Sequence, residues 1–201
     1  MTSEYIKQLQ ALNAAYNAFN MRYFGGTLPD VTITIQRSLR SYGHFSIDKV
    51  WQTSDGVAQH EINISADYLR REKYNLCATL LHEMCHLYAK QNNIEDTSRQ
   101  GRYHNKYFRK IAEERDLQID LAEGIGWSVT SPTEKLKAFV DNSKIEFVNL
   151  YRVAVEQERA PNKRTKVYKY VCPRCGLEVK TTKENAKLHC IECDVDFNVI
   201  V

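Results

Sequence analysis

Two histidines frame a glutamate in the run Leu81-His82-Glu83-Met84-Cys85-His86. Positions four apart on a helix lie one above the other, so both imidazoles can reach one cation. The Glu83 carboxylate sits one residue off that line and can still lean towards the same centre. This set suits zinc, which brings the pKa of a bound water towards neutrality and polarises a carbonyl while the carboxylate takes the proton. Such a site needs a third ligand and an open fourth position. His104, in Gly101-Arg102-Tyr103-His104-Asn105, follows His86 by 18 residues at a loop-to-helix junction and is the first candidate. Glu113, Glu114 and Asp96 are acidic rivals. His44 and His60 precede the motif on turn or strand segments and read as structural or rim residues. A five-residue pattern also occurs in ordinary helices with unrelated histidines; the apolar flanks and His104 weigh against that.

A second constellation differs in kind. Cys172 and Cys175 form one C-x-x-C pair and Cys190 and Cys193 another, with fourteen residues between them. Four thiolates make a closed tetrahedral site with no place for water, so a zinc there folds the chain and does not catalyse. Gly176 suits the tight turn of such a knuckle. A redox dithiol is the rival, and the paired repetition argues against it. The remaining cysteines, Cys77 and Cys85, fall within an apolar helical pattern and read as buried thiols.

Elements must position these groups. Ile6, Leu9, Leu12, Tyr16 and Phe19 predict an amphipathic helix over 4–20. Val31 to Ile35 alternates and is β-branched, a strand. A turn at Ser41–Phe45 leads to a second strand from Phe45 to Trp51, and a third covers His60–Ile64. Ser65 caps a short helical turn. The main helix runs from an Asn75 cap to about Ala89 or Lys90, so apolar that it reads as central. Residues 91–101 read as loop, 105–117 as a helix and 134–140 as a short helix. Three strands joined by short turns suggest an α+β fold, a small antiparallel or mixed sheet against helices. Two domains are expected: 1–150, then 151–201 with a basic linker around Arg159–Arg164. Strands at Lys166–Val171 and Asp196–Val201 flank the four cysteines.

Composition bounds the rest. The chain of 201 residues has 43% hydrophobic residues and a net charge of +3, weak evidence for nucleic acid by itself. Neither a signal peptide nor a membrane span is read, and the cysteine usage suits a reducing, cytoplasmic setting. Lys163, Arg164, Lys166, Lys169, Arg174, Lys180, Lys183 and Lys187 make the last segment locally basic, with Tyr168 and Tyr170 available to stack on bases. Glu178, Glu184, Glu192, Asp194 and Asp196 dilute that charge, and a solvated surface is the equal alternative.

His82-Glu83-Met84-Cys85-His86, then Gly101-Arg102-Tyr103-His104-Asn105-Lys106-Tyr107-Phe108, then the two cysteine pairs, together resemble the SprT-like zinc metallopeptidase family with its C-terminal zinc ribbon. The resemblance covers about residues 5–200 and implies a minimal zincin-like α+β fold, a small sheet packed on the motif helix. It also implies His82, His86 and His104 as zinc ligands and Glu83 as catalytic base, with a second zinc on Cys172, Cys175, Cys190 and Cys193. The eukaryotic relatives are DNA-dependent proteases that cleave proteins crosslinked to DNA. The expected function is therefore a zinc-dependent endopeptidase acting on proteins, with DNA bound through the basic C-terminal region. The alternative is a nucleic-acid-binding or adaptor protein whose histidine site is not catalytic. Hydrolysis of a non-peptide amide is a third reading. No oxyanion-stabilising residue stands out; Tyr103, His44 and Tyr107 are candidates.

Overall fold

A computed structural model describes residues 3–153 and 166–200. The chain divides into two compact units, Met1–Ala154 and Val155–Val201. The linker expected at Arg159–Arg164 lies outside the described residues.

The first unit is α+β. It opens with helix α1 (Glu4–Phe24), started by Ser3, whose hydroxyl accepts from the Ile6 N–H. Its buried stripe, Leu12, Ala15, Tyr16 and Phe19, keeps the three-to-four spacing read in the sequence. There follow β1 (Thr32–Thr34), β2 (Gly43–Phe45), β3 (Trp51–Gln52), β4 (Ala58–Gln59) and β5 (Glu61–Ile64). β5 is central in a sheet of order β1-β5-β2, parallel to β1 and antiparallel to β2. β3 and β4 form a separate hairpin. The single strand expected over Phe45–Trp51 is thus two short strands with an irregular stretch between.

A 3₁₀ turn (Ala66–Tyr68) leads into α2 (Lys73–Gln91). Ser65 precedes that turn, but its hydroxyl donates to the Ser38 carbonyl and not to the turn's own backbone. α2 begins earlier than the Asn75 cap implied, with Glu72 at the boundary. Leu76, Leu80, Leu81, Met84 and Leu87 are almost wholly buried, as a central helix requires.

Next come β6 (Thr97–Ser98), β7 (Tyr103–His104), α3 (Lys106–Glu113), β8 (Leu117–Ala122), β9 (Gly126–Pro132) and α4 (Glu134–Asn142). The strands make a second sheet of order β6-β7-β9-β8, in which β7 runs parallel to β9. Sequence reading carried the third helix to 117 and missed the β8–β9 hairpin. The signal was present: Leu117 and Ile119 are buried while Gln118 and Asp120 face out, a period of two. Asp116, with φ 61, turns the chain out of the helix immediately before β8.

The second unit holds β10 (Tyr168–Val171), β11 (Glu178–Thr181), β12 (His189–Cys190), β13 (Val195–Asp196) and β14 (Asn198–Ile200). The antiparallel sheet β11-β10-β14 and the β12–β13 pair hold the four cysteines at the turns. β11 was not read from the sequence. No helix among the described residues is long and apolar enough to cross a membrane.

Candidate metal centres and the cleft between the sheets

One turn of α2 stacks His82 over His86, and β7, just before α3, brings in His104. The three Nε2 atoms lie 3.0–3.2 Å from one another. Zinc–nitrogen bonds of tetrahedral geometry place ligand nitrogens about 3.3 Å apart, so the cluster fits zinc. Burial, then the neighbouring imidazoles, holds His82 well below the usual histidine range, and burial, then His86, brings His104 down to about 4. Both are thereby kept neutral, the form that ligates.

Surrounding groups aim the rings. With Nε2 turned to the shared centre, Nδ1 carries the proton. His82 Nδ1 donates to Thr130 Oγ1 at 2.7 Å, and His86 Nδ1 to Asp96 Oδ2 at 2.6 Å. Asp96 is therefore a partner of a ligand and not a rival to it. Beneath the cluster lies Phe108, fully buried, its ring centroid 4.5, 4.6 and 4.7 Å from those of His82, His86 and His104. Phe108 and Thr130 were not recognised as site residues by sequence reasoning. Phe108 had one signal, its place at the end of the segment Gly101–Phe108 that also holds His104; Thr130, on an unread strand, had none.

Asn105 explains how His104 and Asp96 arrive together. Its side chain caps α3 by accepting from Tyr107 N–H and also donates to the Glu95 carbonyl, while its backbone N–H donates to the Asp96 carbonyl. Gly126 completes the placement. It pairs with His104 across β7 and β9 at φ 78, and a Cβ there would overlap the His104 carbonyl oxygen. Glu113 pairs with Arg109, and Glu114 lies near Lys110 and Arg115; neither belongs to the cluster.

Glu83 is buried beside the histidines. Burial pushes its carboxyl up to about 7, opposed by His86 and by a hydrogen bond from the Phe45 backbone. That bond comes from the edge strand β2. Ser65 N–H donates to the Tyr42 carbonyl and Ser46 N–H to the Glu61 carbonyl, so alternation turns the His44 backbone towards β5. The backbone groups of Gly43 and Phe45 consequently face the free edge. A Cβ on Gly43 would stand 2.9 Å from the Asn63 carbonyl oxygen and 3.2 Å from Glu83 Oε1, so this strand approaches the carboxylate as only glycine allows.

A cleft of about 1030 Å³ opens over these groups, walled by β2 on one side and by Ser128, Val129 and Thr130 of β9 on the other. His44 lines its rim, 3.7 Å from Glu61. His60 is buried, its Nδ1 2.9 Å from the Ser46 carbonyl, and stays structural. Tyr103 lies under the Arg99 guanidinium and Tyr107 under the Lys106 ammonium; neither lines the cleft.

In the second unit the Sγ atoms of Cys172, Cys175, Cys190 and Cys193 lie within 4.8 Å of one another, with Cys175 and Cys190 3.8 Å apart. Tetrahedral zinc thiolate sites set sulfurs about 3.8 Å apart, so this cluster too fits zinc, as a small ribbon. Backbone hydrogen bonding at the Cys175 knuckle brings Cys172 down to about 6, towards the thiolate a metal takes. Cys77 and Cys85 contrast with it: burial pushes each up to about 12, so they are inert packing thiols.

The model of the SprT-like family matches residues 12–123, which contain the later part of α1, all of α2, His82, His86, His104 and Glu83. No curated protein and no solved structure matches the chain.

Proposed function

The chain belongs to the SprT-like family, whose domain is generally metallopeptidase-like, and from that premise we propose that it is a zinc-dependent endopeptidase. The observation that carries this is the convergence of His82, His86 and His104 beside the buried carboxyl of Glu83, at the floor of an open cleft. The histidines would hold the ion, which supplies Lewis-acid activation of water and of the scissile carbonyl.

The chain's own residues do the rest. Glu83 is the general base: its carboxyl, lifted by burial, accepts a proton near neutrality and can return it to the leaving amine. The Phe45 N–H aims that carboxylate. The free edge of β2 offers backbone donors and acceptors on which an extended polypeptide adds as a strand, its scissile bond laid over the histidines. Asp96 and Thr130 hold the imidazole rings in register. The ribbon's four cysteines would take a structural zinc.

The substrates we propose are DNA-associated proteins, including DNA-crosslinked ones. The support is the basic side chains of the second unit, Lys169, Arg174, Lys180, Lys183 and Lys187. The six thiols, all free, suit the reducing cytoplasm.

The test is cleavage of a DNA-binding protein by the zinc-loaded chain, with single- or double-stranded DNA, against Glu83→Gln. Glu83→Gln is expected to keep its zinc and fold and to lose at least about 10²-fold in rate. A zinc-loaded wild type that cleaves no protein under any DNA condition returns the chain to the adaptor reading. Equal cleavage by Glu83→Gln removes Glu83 from its role.

A further inference from the structure

We infer that the main chain of Thr130, on β9, is a second rail of the cleft, so that a substrate is held as one extended strand hydrogen-bonded on both sides, to β2 and to β9. This rests on the peptidase reading and adds a substrate requirement to it: a peptide N–H at three consecutive residues, which excludes proline and N-alkylated residues there.

Hydrogen-bond parity sets which way each backbone group of β9 points. Thr133 N–H donates to the Asp116 carbonyl at 3.3 Å, in the register that pairs Ile119 with Thr130 and Asp120 with Val129. In an antiparallel ladder, residues that exchange these bonds alternate with residues that do not. Ser131 and Val129 therefore turn their backbone groups to β8, as Thr133 does, and the N–H and C=O of Thr130 turn the other way. Pro132 has the same parity as Thr130. It has no N–H to give the ladder, and at that position none is required.

On that other side lies the cleft. In the sheet order β6-β7-β9-β8 the neighbour there is β7, which pairs with β9 only through His104 and Gly126. β7 stops at His104 because Asn105, the next residue, caps α3. No strand among the described residues covers β9 at Thr130. The side is also the metal side: β7 carries His104 there, and the Thr130 hydroxyl meets His82 Nδ1 at 2.7 Å. Thr130 lines the cleft together with Gly43, His44 and Phe45 of β2. β2 is itself the edge of its sheet, with Gly43 and Phe45 facing away from β5. Glu83 engages the Phe45 N–H, which leaves the Gly43 and Phe45 carbonyls and the Gly43 N–H for a ligand. An open sheet edge invites pairing with another chain, and two edges bordering one cleft invite a single chain between them. Successive N–H groups of an extended chain point to opposite sides. An inserted strand thus gives two alternate N–H groups to the Gly43 and Phe45 carbonyls, and the N–H between them to the Thr130 carbonyl.

The test uses the full zinc-loaded chain as Glu83→Gln, so that binding is read without cleavage. Capped, fluorescent decapeptides tiling casein are screened by anisotropy. The tightest is then remade with a single N-methyl group at each position in turn. Two rails predict three consecutive positions at which N-methylation weakens binding by about fivefold or more, the loss of one hydrogen bond. A rail on β2 alone predicts sensitive positions alternating with insensitive ones, and that pattern overturns the inference. An ester in place of the middle amide removes the donor without adding a methyl group, and should lose a similar factor; parent affinity in the ester shows that the methyl group merely clashed, and overturns it too. The crystal structure of the complex should put the middle N–H on the Thr130 carbonyl, and an N–H bonded only to water there refutes the second rail. So does a screen in which no decapeptide binds. The three-position pattern in a chain whose wild type cleaves no protein would remove the peptidase reading and leave both rails standing.

Discussion

Removing the Asp96 carboxylate should loosen the three-histidine metal centre while leaving the ribbon intact. Asp96 Oδ2 lies 2.6 Å from His86 Nδ1, and the two side chains are only 12% and 13% exposed. Little water can reach the nitrogen to replace the lost acceptor. A hydrogen bond to a charged group in such a place contributes about 1.5–3 kcal/mol, and loss of the partner of a metal-ligating histidine costs about 10–100-fold in affinity. The two figures agree, since tenfold is about 1.4 kcal/mol. Asp96→Ala should therefore weaken zinc at the histidine site by about 10–100-fold. Asp96→Asn keeps an acceptor of the same shape without the charge and should lose less, about 3–10-fold. The assay is competition with a chromophoric chelator, in which zinc on the four cysteines serves as the internal reference. Histidine-site affinity within about threefold of wild type in Asp96→Ala would refute the reasoning. Equal weakening at both sites would show that the substitution disturbs folding and not the ring.

The two clusters imply two zinc ions per chain, lost separately. His104→Ala should retain only the ribbon zinc and Cys172→Ser only the histidine-site zinc, by metal analysis of the purified proteins; full metal retention in His104→Ala would remove it from the ligand set. Gly126→Ala forces a Cβ against the His104 carbonyl at a left-handed backbone position, and should cost about 3 kcal/mol in denaturant unfolding together with histidine-site zinc. An unchanged midpoint would mean that β7 and β9 separate at no cost. Phe108→Ala empties the floor under three imidazoles and should lower stability by about 3–5 kcal/mol, whereas Phe108→Leu should recover more than half of that.

Much of this molecule was legible in order of locality. Helix periodicity places α1 and α2, because an amphipathic stripe is written in consecutive residues. The pairing of His82 with His86 follows from one helical turn, and the C-x-x-C knuckles follow from one tight turn each. The family resemblance carried by these motifs agrees with the match over residues 12–123. The short strands were read less well. With two or three residues each, β2, β3, β6 and β7 hold too few alternations to show a period, and β2 and β7 also pair with strands distant in the chain, β5 and β9.

By itself, then, the amino-acid order determined which groups could bind metal and which two histidines share a helical face. Whether His104 meets them was a question of tertiary structure, settled by β7 lying along β9 at a glycine and by Asn105 tying α3 to the Asp96 turn. Asp96 and Thr130 were likewise drawn in from a loop and an unread strand, and Phe108 became a floor only once α3 packed against α2. The reason is geometric. Spacing within a helix is set by the backbone alone, whereas the approach of two segments depends on side-chain volumes, hydrogen-bond partners and a backbone that can come close at Gly43 and Gly126.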